Sequence, residues 1–277
     1  MIAQALLDAC ARGDLPPNVL LLRLAMVATA PEEVAAALDA AGPRLAAARA
    51  LWRANPQAFG LVKSVLAGVE HAESADPAHW ARVFDRLAAA APEGGVALYA
   101  LGNPDLLRAA TREVVDRILG WDLLPPEARV VEIGCGIGRV LATLAPHAAG
   151  ITGLDVSPGM IAAARDRCAG LPNVTLAVTS GRDLPLPDAS ADLVLAADVF
   201  PYLVDSGLAE AHLAESARVL RPGGHLLILN HSYRGDPDAD RADLAVLAPP
   251  NGLRLRRAAT GDFALWDAAT FLLSRAG

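Results

Sequence analysis

Two hydrophobic rhythms divide the chain. Up to about residue 75 the apolar positions recur at helical intervals, as with Val34, Leu38 and Leu45, interrupted at Gly42-Pro43. Pro31-Glu32-Glu33 reads as a helix start, because proline fits the first turn and acids suit the positive end of the helix dipole. The pattern predicts helices over Leu45–Ala54 and Ala58–Glu70, and a further one over Ala78–Ala90. A loop follows at Pro92–Gly95. Asn103-Pro104 supplies a cap and a first helical residue for a helix running to about Leu119, ended by Gly120 and Pro125-Pro126.

From Arg129 short apolar runs alternate with helical stretches. Strands are expected at Val130–Ile133, Ile151–Leu154, Val174–Val178, Leu193–Ala196 and His225–Leu229. Helices are expected between them at Val140–Leu144, Pro158–Cys168 and Leu208–Leu220. Such alternation implies a parallel sheet with right-handed crossovers. Leu253–Ala259 and Thr270–Ser274 read as two last strands with a short connection. The chain is therefore expected to divide into an α-helical accessory unit, residues 1–95, and an α/β unit, residues 96–277.

Composition narrows the partners. With 53% apolar residues in 277, the chain can bury a sizeable core. A net charge of −7, with Lys63 the only lysine, argues against nucleic acid, whose binding depends on clustered cations. Aromatics at 4% argue against a base-stacking platform. Arg254, Arg256 and Arg257 read as a solvated strand face. Cys10, Cys135 and Cys168 are odd in number and lack metal-ligand spacing, so no metal is expected and a reducing, cytoplasmic setting is. The first residues lack the pattern of a secretory signal, and Val19–Ala30 is too short to span a bilayer. No membrane partner is expected.

Candidate chemistry centres on VVEIGCGIGRV, Val130–Val140. A strand, then Gly134, Gly136 and Gly138, then a helix, forms a turn that lets a ligand approach the backbone. The dinucleotide pattern G-x-G-x-x-G fails, since Arg139 holds the third glycine position, and no Gly-Lys-Ser/Thr makes a phosphate loop. Glu132 beside the turn disfavours a pyrophosphate and suits an ammonium. Asp155, ending the next strand in GLDVSPGMI, can accept from both hydroxyls of a ribose, and Ser157-Pro158 starts a helix. A ribose and an amino group without phosphates describe S-adenosylmethionine.

Four blocks in this order resemble the class I S-adenosylmethionine-dependent methyltransferases: VVEIGCGIGRV, GLDVSPGMI, Gly181–Leu203 with its Leu-Pro-Leu-Pro-Asp run, and RVLRPGGHLLI. The resemblance covers about Asn103 to Leu229. It implies a Rossmann-like, mostly parallel seven-strand sheet with an antiparallel last strand. It also implies a cofactor site in which Glu132 faces the amino group and Gly134, Cys135, Gly136 and Gly138 line the methionine. Asp155 would hold the ribose, Val156 and Met160 the adenine face, and Gly181 and Arg182 its edge. Asp198 would begin the loop nearest the sulfonium. An acid common just before the Gly181 position is replaced by Ser180. Tyr99 could fold over the cofactor, and Arg139 could pair with an acid or meet the substrate.

Methyl transfer to oxygen or nitrogen requires loss of a proton. His231, after the fifth strand, is the candidate base, with Tyr202 and Tyr233 as further candidates. The expected activity is methylation of a small-molecule acceptor, giving S-adenosyl-L-homocysteine, by a monomer or homodimer. The alternatives are a protein or peptide methyltransferase and a non-catalytic cofactor-binding subunit.

Overall fold

The computed structural model describes residues 2–69 and 76–276, so the expected helix end at Glu70 lies outside the described residues. The N-terminal helices are α1 (Ile2–Arg12), α2 (Pro17–Val27), α3 (Pro31–Ala40), α4 (Ala46–Ala54), α5 (Ala58–Gly68), α6 (Pro77–Ala90), α7 (Pro92–Val96) and α8 (Pro104–Gly120). Five of them begin on a proline, whose fixed φ suits the first turn and whose missing N–H is not needed there. Asn103 caps α8, accepting from the N–H groups of Asp105 at 2.9 Å and Leu106 at 3.1 Å.

The rest alternates: β1 (Arg129–Ile133), α9 (Arg139–Leu144), β2 (Gly150–Asp155), α10 (Pro158–Arg167), β3 (Val174–Val178), β4 (Ala191–Ala197), α11 (Phe200–Asp205), α12 (Ala209–Val219), β5 (Leu220–Leu229), α13 (Pro237–Leu247), β6 (Leu253–Ala259) and β7 (Thr270–Arg275). The strands form one sheet in the order β3-β2-β1-β4-β5-β7-β6. β7 runs antiparallel between β5 and β6, and the pairings among β1 to β5 are parallel. The alternation implied the parallel strands, and the whole is the Rossmann-like seven-strand sheet that the family resemblance implied.

The central strands β1, β4 and β5 are covered on both faces, which explains their near-continuous apolar runs. On one face Leu195 and Leu227 join a core that extends through Leu141 and Ile118 to Leu20, Leu21 and Leu38 of the N-terminal helices. On the other, Ile133, Val194 and Ile228 pack with Phe200, Leu213 and Leu244 of α11 to α13. The helical unit thus shares a core with the sheet, and the expected boundary at residue 95 falls inside α7.

Three elements depart from expectation. The predicted loop at Pro92–Gly95 forms most of α7. α11 is too short to show a period. α13 buries Asp240 and Leu244 and no continuous apolar stripe, so its pattern is weak. No helix among the described residues is long and apolar enough to cross a membrane.

Candidate active site

Strand order reverses between β1 and β4, and the crevice beyond their carboxyl ends is where open parallel sheets bind ligands. A cleft lies there. Its floor carries Gly134, Gly136, Asp155, Val156, Met160, Gly181 and Asp198. Its roof is built by α6 and α7, through Pro77, Trp80, Phe84, Gly95 and Val96.

The glycine turn shapes the floor. Gly134 and Gly136 have φ of 65° and 52°, in the region that side chains disfavour. A Cβ on Gly136 would lie 2.7 Å from a Val96 methyl, so the roof rests directly on the loop backbone. The Gly136 N–H donates to Asp155 Oδ2 at 2.8 Å, and the Ser157 N–H donates to Oδ1 at 2.9 Å. These bonds fix the carboxylate at the end of β2. Burial pushes the Asp155 pKa up, while its backbone N–H partners pull it down.

Glu132 is 3% exposed, and its Oε2 has no hydrogen-bond partner. Burial raises its pKa to about 8, against the pull of the Arg139 guanidinium. Arg139 itself is buried and donates to Thr111 Oγ1 at 3.0 Å. Glu132 lies near the carboxyl end of β1, two residues before Gly134.

At the roof side, Tyr202 packs edge-on against Trp80 with centroids 4.6 Å apart, Phe84 at 5.3 Å and Tyr233 at 5.8 Å. The Tyr202 and Tyr233 hydroxyl oxygens are 3.5 Å apart. Tyr202 lines the cleft; burial, with the Asp198 carboxylate close by, pushes its phenol pKa up, so it stays protonated.

Several expected site residues lie elsewhere. His231 is 2% exposed and packs between Phe200 and Phe271, at 5.7 and 6.3 Å, and is not among the residues that line the cleft. Asn230, at φ 63°, turns the chain after β5, and strand alternation no longer predicts where the next residue faces. His231 instead lies beside Asp240 and Asp243, which Arg234 bridges at 2.7 and 2.8 Å. Tyr99 is buried and stacks on Trp266 at 5.2 Å, off the wall. Arg182 is exposed and lines nothing. Cys135 is buried behind the turn, where burial pushes its thiol pKa well up. Gly138 also serves packing: a Cβ there would meet Ala164 at 3.1 Å. Tyr233 is 57% exposed at the rim and reaches the site through the Tyr202 hydroxyl.

The sequence reading missed other wall residues: Thr179, Asp183, Leu184, Val199 and His212. Asp183 accepts from Ser180 Oγ at 2.8 Å, placing an acid near the position where the resemblance expected one. Asp183 and Leu184 lie in the quoted Gly181–Leu203 block and were legible there. His212 and the roof residues carry no motif, since only helix packing brings them to the cleft.

Residues 131–228 match the family described as Methyltransferase domain. The sheet order, the glycine turn and this match agree. The region is a class I S-adenosylmethionine-dependent methyltransferase domain. The chain is 35% identical over 152 residues to the demethylmenaquinone methyltransferase of Tropheryma whipplei (strain Twist), covering 55% of this chain and 59% of the relative. It is 31% identical over 144 residues to the S-adenosyl-L-methionine-dependent Diels-Alderase iccD of Talaromyces variabilis, covering 50% and 48%. The chain thus spans about half the length of the curated relatives it matches. Among solved structures, the cyclase SpnF superposes with a TM-score of 0.55 at 18% identity, covering 74% of this chain and 98% of that one; this likeness concerns the fold.

Proposed function

We propose that the protein transfers the methyl group of S-adenosylmethionine to a small-molecule acceptor in the roofed cleft. The observation that carries this reading is the match between the donor set and the cofactor. Glu132, two residues before Gly134, keeps an unpartnered buried carboxylate oxygen, suited to an ammonium. Asp155 lies at the end of β2, pinned by two backbone N–H groups and lining the cleft, with lone pairs left for ribose hydroxyls.

In this reading Gly134 and Gly136 lie along the methionine, and Val156 and Met160 along the adenine face. Gly181 and Asp183 lie at the adenine edge, with Asp183 taking the role considered for Ser180. The bound cofactor supplies an electrophilic methyl on a sulfonium. The protein's part is to hold acceptor and methyl donor together and exclude water, which can lower a barrier substantially by proximity alone. α6 and α7 close the cleft over the floor, a shape that favours a small acceptor over a protein or peptide chain. The name of the Tropheryma relative points the same way; the name of the Talaromyces relative does not describe methyl transfer, so the product must be measured.

The test has two parts. Calorimetric titration with S-adenosylhomocysteine should show micromolar-range binding, about 8 kcal/mol, weakened at least tenfold in Asp155→Ala. Incubation with S-adenosylmethionine and an acceptor panel should release S-adenosylhomocysteine. Binding without turnover across the panel would support the non-catalytic reading, and no binding would defeat the cofactor assignment.

A further inference from the structure

β4 and β5 are neighbours in the sheet, and each is followed by a residue held in the left-handed region: Asp198 at φ 62° and Asn230 at φ 63°. Non-glycine residues rarely adopt this conformation without a reason, and two at adjacent strand ends cost free energy that the surrounding bonds must offset. Those bonds are present. The Asp198 N–H donates to the Leu229 carbonyl at 2.9 Å, and the Asn230 N–H to the Ala269 carbonyl at 2.8 Å. The Asn230 side-chain carbonyl accepts from the Ala269 N–H at 3.0 Å, which fixes the amide so that its Nδ2 donates to Asp198 Oδ1 at 3.0 Å.

The result is a carboxylate on the cleft wall with one oxygen bonded from behind. The Tyr233 hydroxyl, near the same carboxylate, donates to the Tyr202 hydroxyl at 3.5 Å. Burial of Tyr202 and the Asp198 carboxylate near both phenols push their pKa values up, so they serve as donors rather than bases. The adjoining wall is aromatic, with Trp80 and Phe84 packed on Tyr202. The Trp80 indole N–H is buried and has no protein acceptor. The wall therefore suits a neutral, flat ligand carrying hydroxyl or carbonyl oxygen.

We propose that Asp198 is the catalytic base and that the acceptor is a neutral aromatic alcohol of phenol or quinol type, seated against Trp80, Phe84 and Tyr202. This inference rests on the methyltransferase reading above. The acceptor's O–H bond breaks and its proton passes to the Asp198 carboxylate. The electron pair left on that oxygen forms the new O–CH3 bond. The S–CH3 bond breaks, and its pair stays on sulfur, which becomes the neutral thioether of S-adenosylhomocysteine. Asp198 then returns its proton to solvent. Asn230 is a positioning residue that orients the carboxylate.

The test uses 2-naphthol as the acceptor probe and Asp198→Asn as the variant. Asparagine tolerates the left-handed backbone and can still accept from Asn230, so the variant should fold. Three quantities are read: S-adenosylhomocysteine binding, 2-naphthol binding to the S-adenosylhomocysteine complex as a function of pH, and 2-naphthyl methyl ether formation. For the wild type, 2-naphthol affinity should rise with pH as Asp198 ionises; in the variant it should be flat. Ether formation should fall at least a hundredfold in the variant while S-adenosylhomocysteine affinity stays within about threefold. Asn230→Ala should lower kcat with little change in KM for the probe.

A wild type that binds S-adenosylhomocysteine but neither binds nor methylates 2-naphthol overturns the acceptor class. Normal ether formation by Asp198→Asn, or pH dependence equal in both proteins, overturns the role of Asp198. Failure of the wild type to bind S-adenosylhomocysteine would instead remove the underlying cofactor reading.

Discussion

The carboxylate of Asp85, on the roof helix α6, accepts from Ser157 Oγ at 2.6 Å and from the Gly159 N–H at 2.9 Å. Ser157 is the cap of α10 and, through its own N–H, a partner of Asp155. One residue of the helical unit thus holds the loop that carries the proposed ribose acid.

Asp85→Ala should therefore act on both stability and cofactor affinity. Loss of these part-buried charge-assisted bonds should cost about 1–2 kcal/mol, read as a lower urea midpoint. S-adenosylhomocysteine should bind several-fold more weakly. Asp85→Asn keeps an acceptor for Ser157 and should recover part of both effects. An unchanged affinity in the alanine variant would show that α6 docks independently of the cofactor loop.

In the proposed cofactor site, Glu132 should make binding proton-linked. Its pKa is raised to about 8 in the free protein, so at pH 7 most molecules carry it protonated. An ammonium placed beside it favours the ionised form and expels the proton. Calorimetry of S-adenosylhomocysteine binding at pH 7 in buffers of different ionisation enthalpy should show net proton release, fading by about pH 9 and absent in Glu132→Gln. The same shift opposes folding as pH rises: the unfolded carboxyl ionises near its ordinary value, the folded one only near 8. The free Glu132→Gln protein should accordingly gain stability over the wild type progressively from about pH 4.5 to 8.

His231 is expected to matter for stability and not for turnover. Burial lowers its pKa below the ordinary 6.5. The unfolded chain then binds the extra proton first, so its contribution to stability is present above about pH 6.5 and is lost as pH falls below it. His231→Leu should flatten the decline of the urea midpoint between about pH 6.5 and 5. Its methylation rate at pH 8 should stay within about twofold of the wild type, because the side chain lies off the cleft wall. A large loss of rate at pH 8 would restore it as a base.

Gly136→Ala tests the contact of roof and floor. The position has φ 52° and its new Cβ would lie 2.7 Å from Val96 Cγ1. Backbone strain and the clash together should cost about 2 kcal/mol and weaken S-adenosylhomocysteine at least tenfold. Adding Val96→Ala should relieve the clash but leave the backbone penalty, recovering part of the stability lost.

The strand–helix alternation, Glu132, the glycine turn and Asp155 were legible because each is a local pattern: a period, a φ requirement, or an acid at a strand end. The helix starts at Pro31, Pro104 and Pro158 were legible for the same reason. Those local rules then failed where the chain leaves its period. The left-handed turn at Asn230 sent His231 into the core between Phe200 and Phe271. α13 escaped notice because its buried residues are few.

The sequence by itself determined the sheet and the floor of the cleft, since backbone geometry and side-chain period are encoded within a few residues of one another. Only the tertiary structure decided the roof, the pairing of Asp198 with Asn230 and the aromatic wall of the cleft. Asp85 and Ser157 are distant in sequence, as are Asp198 and Asn230, and Trp80 and Tyr202. Each pair is brought together by burial of apolar surface shared between the helices and the sheet, a long-range outcome that no local pattern specifies.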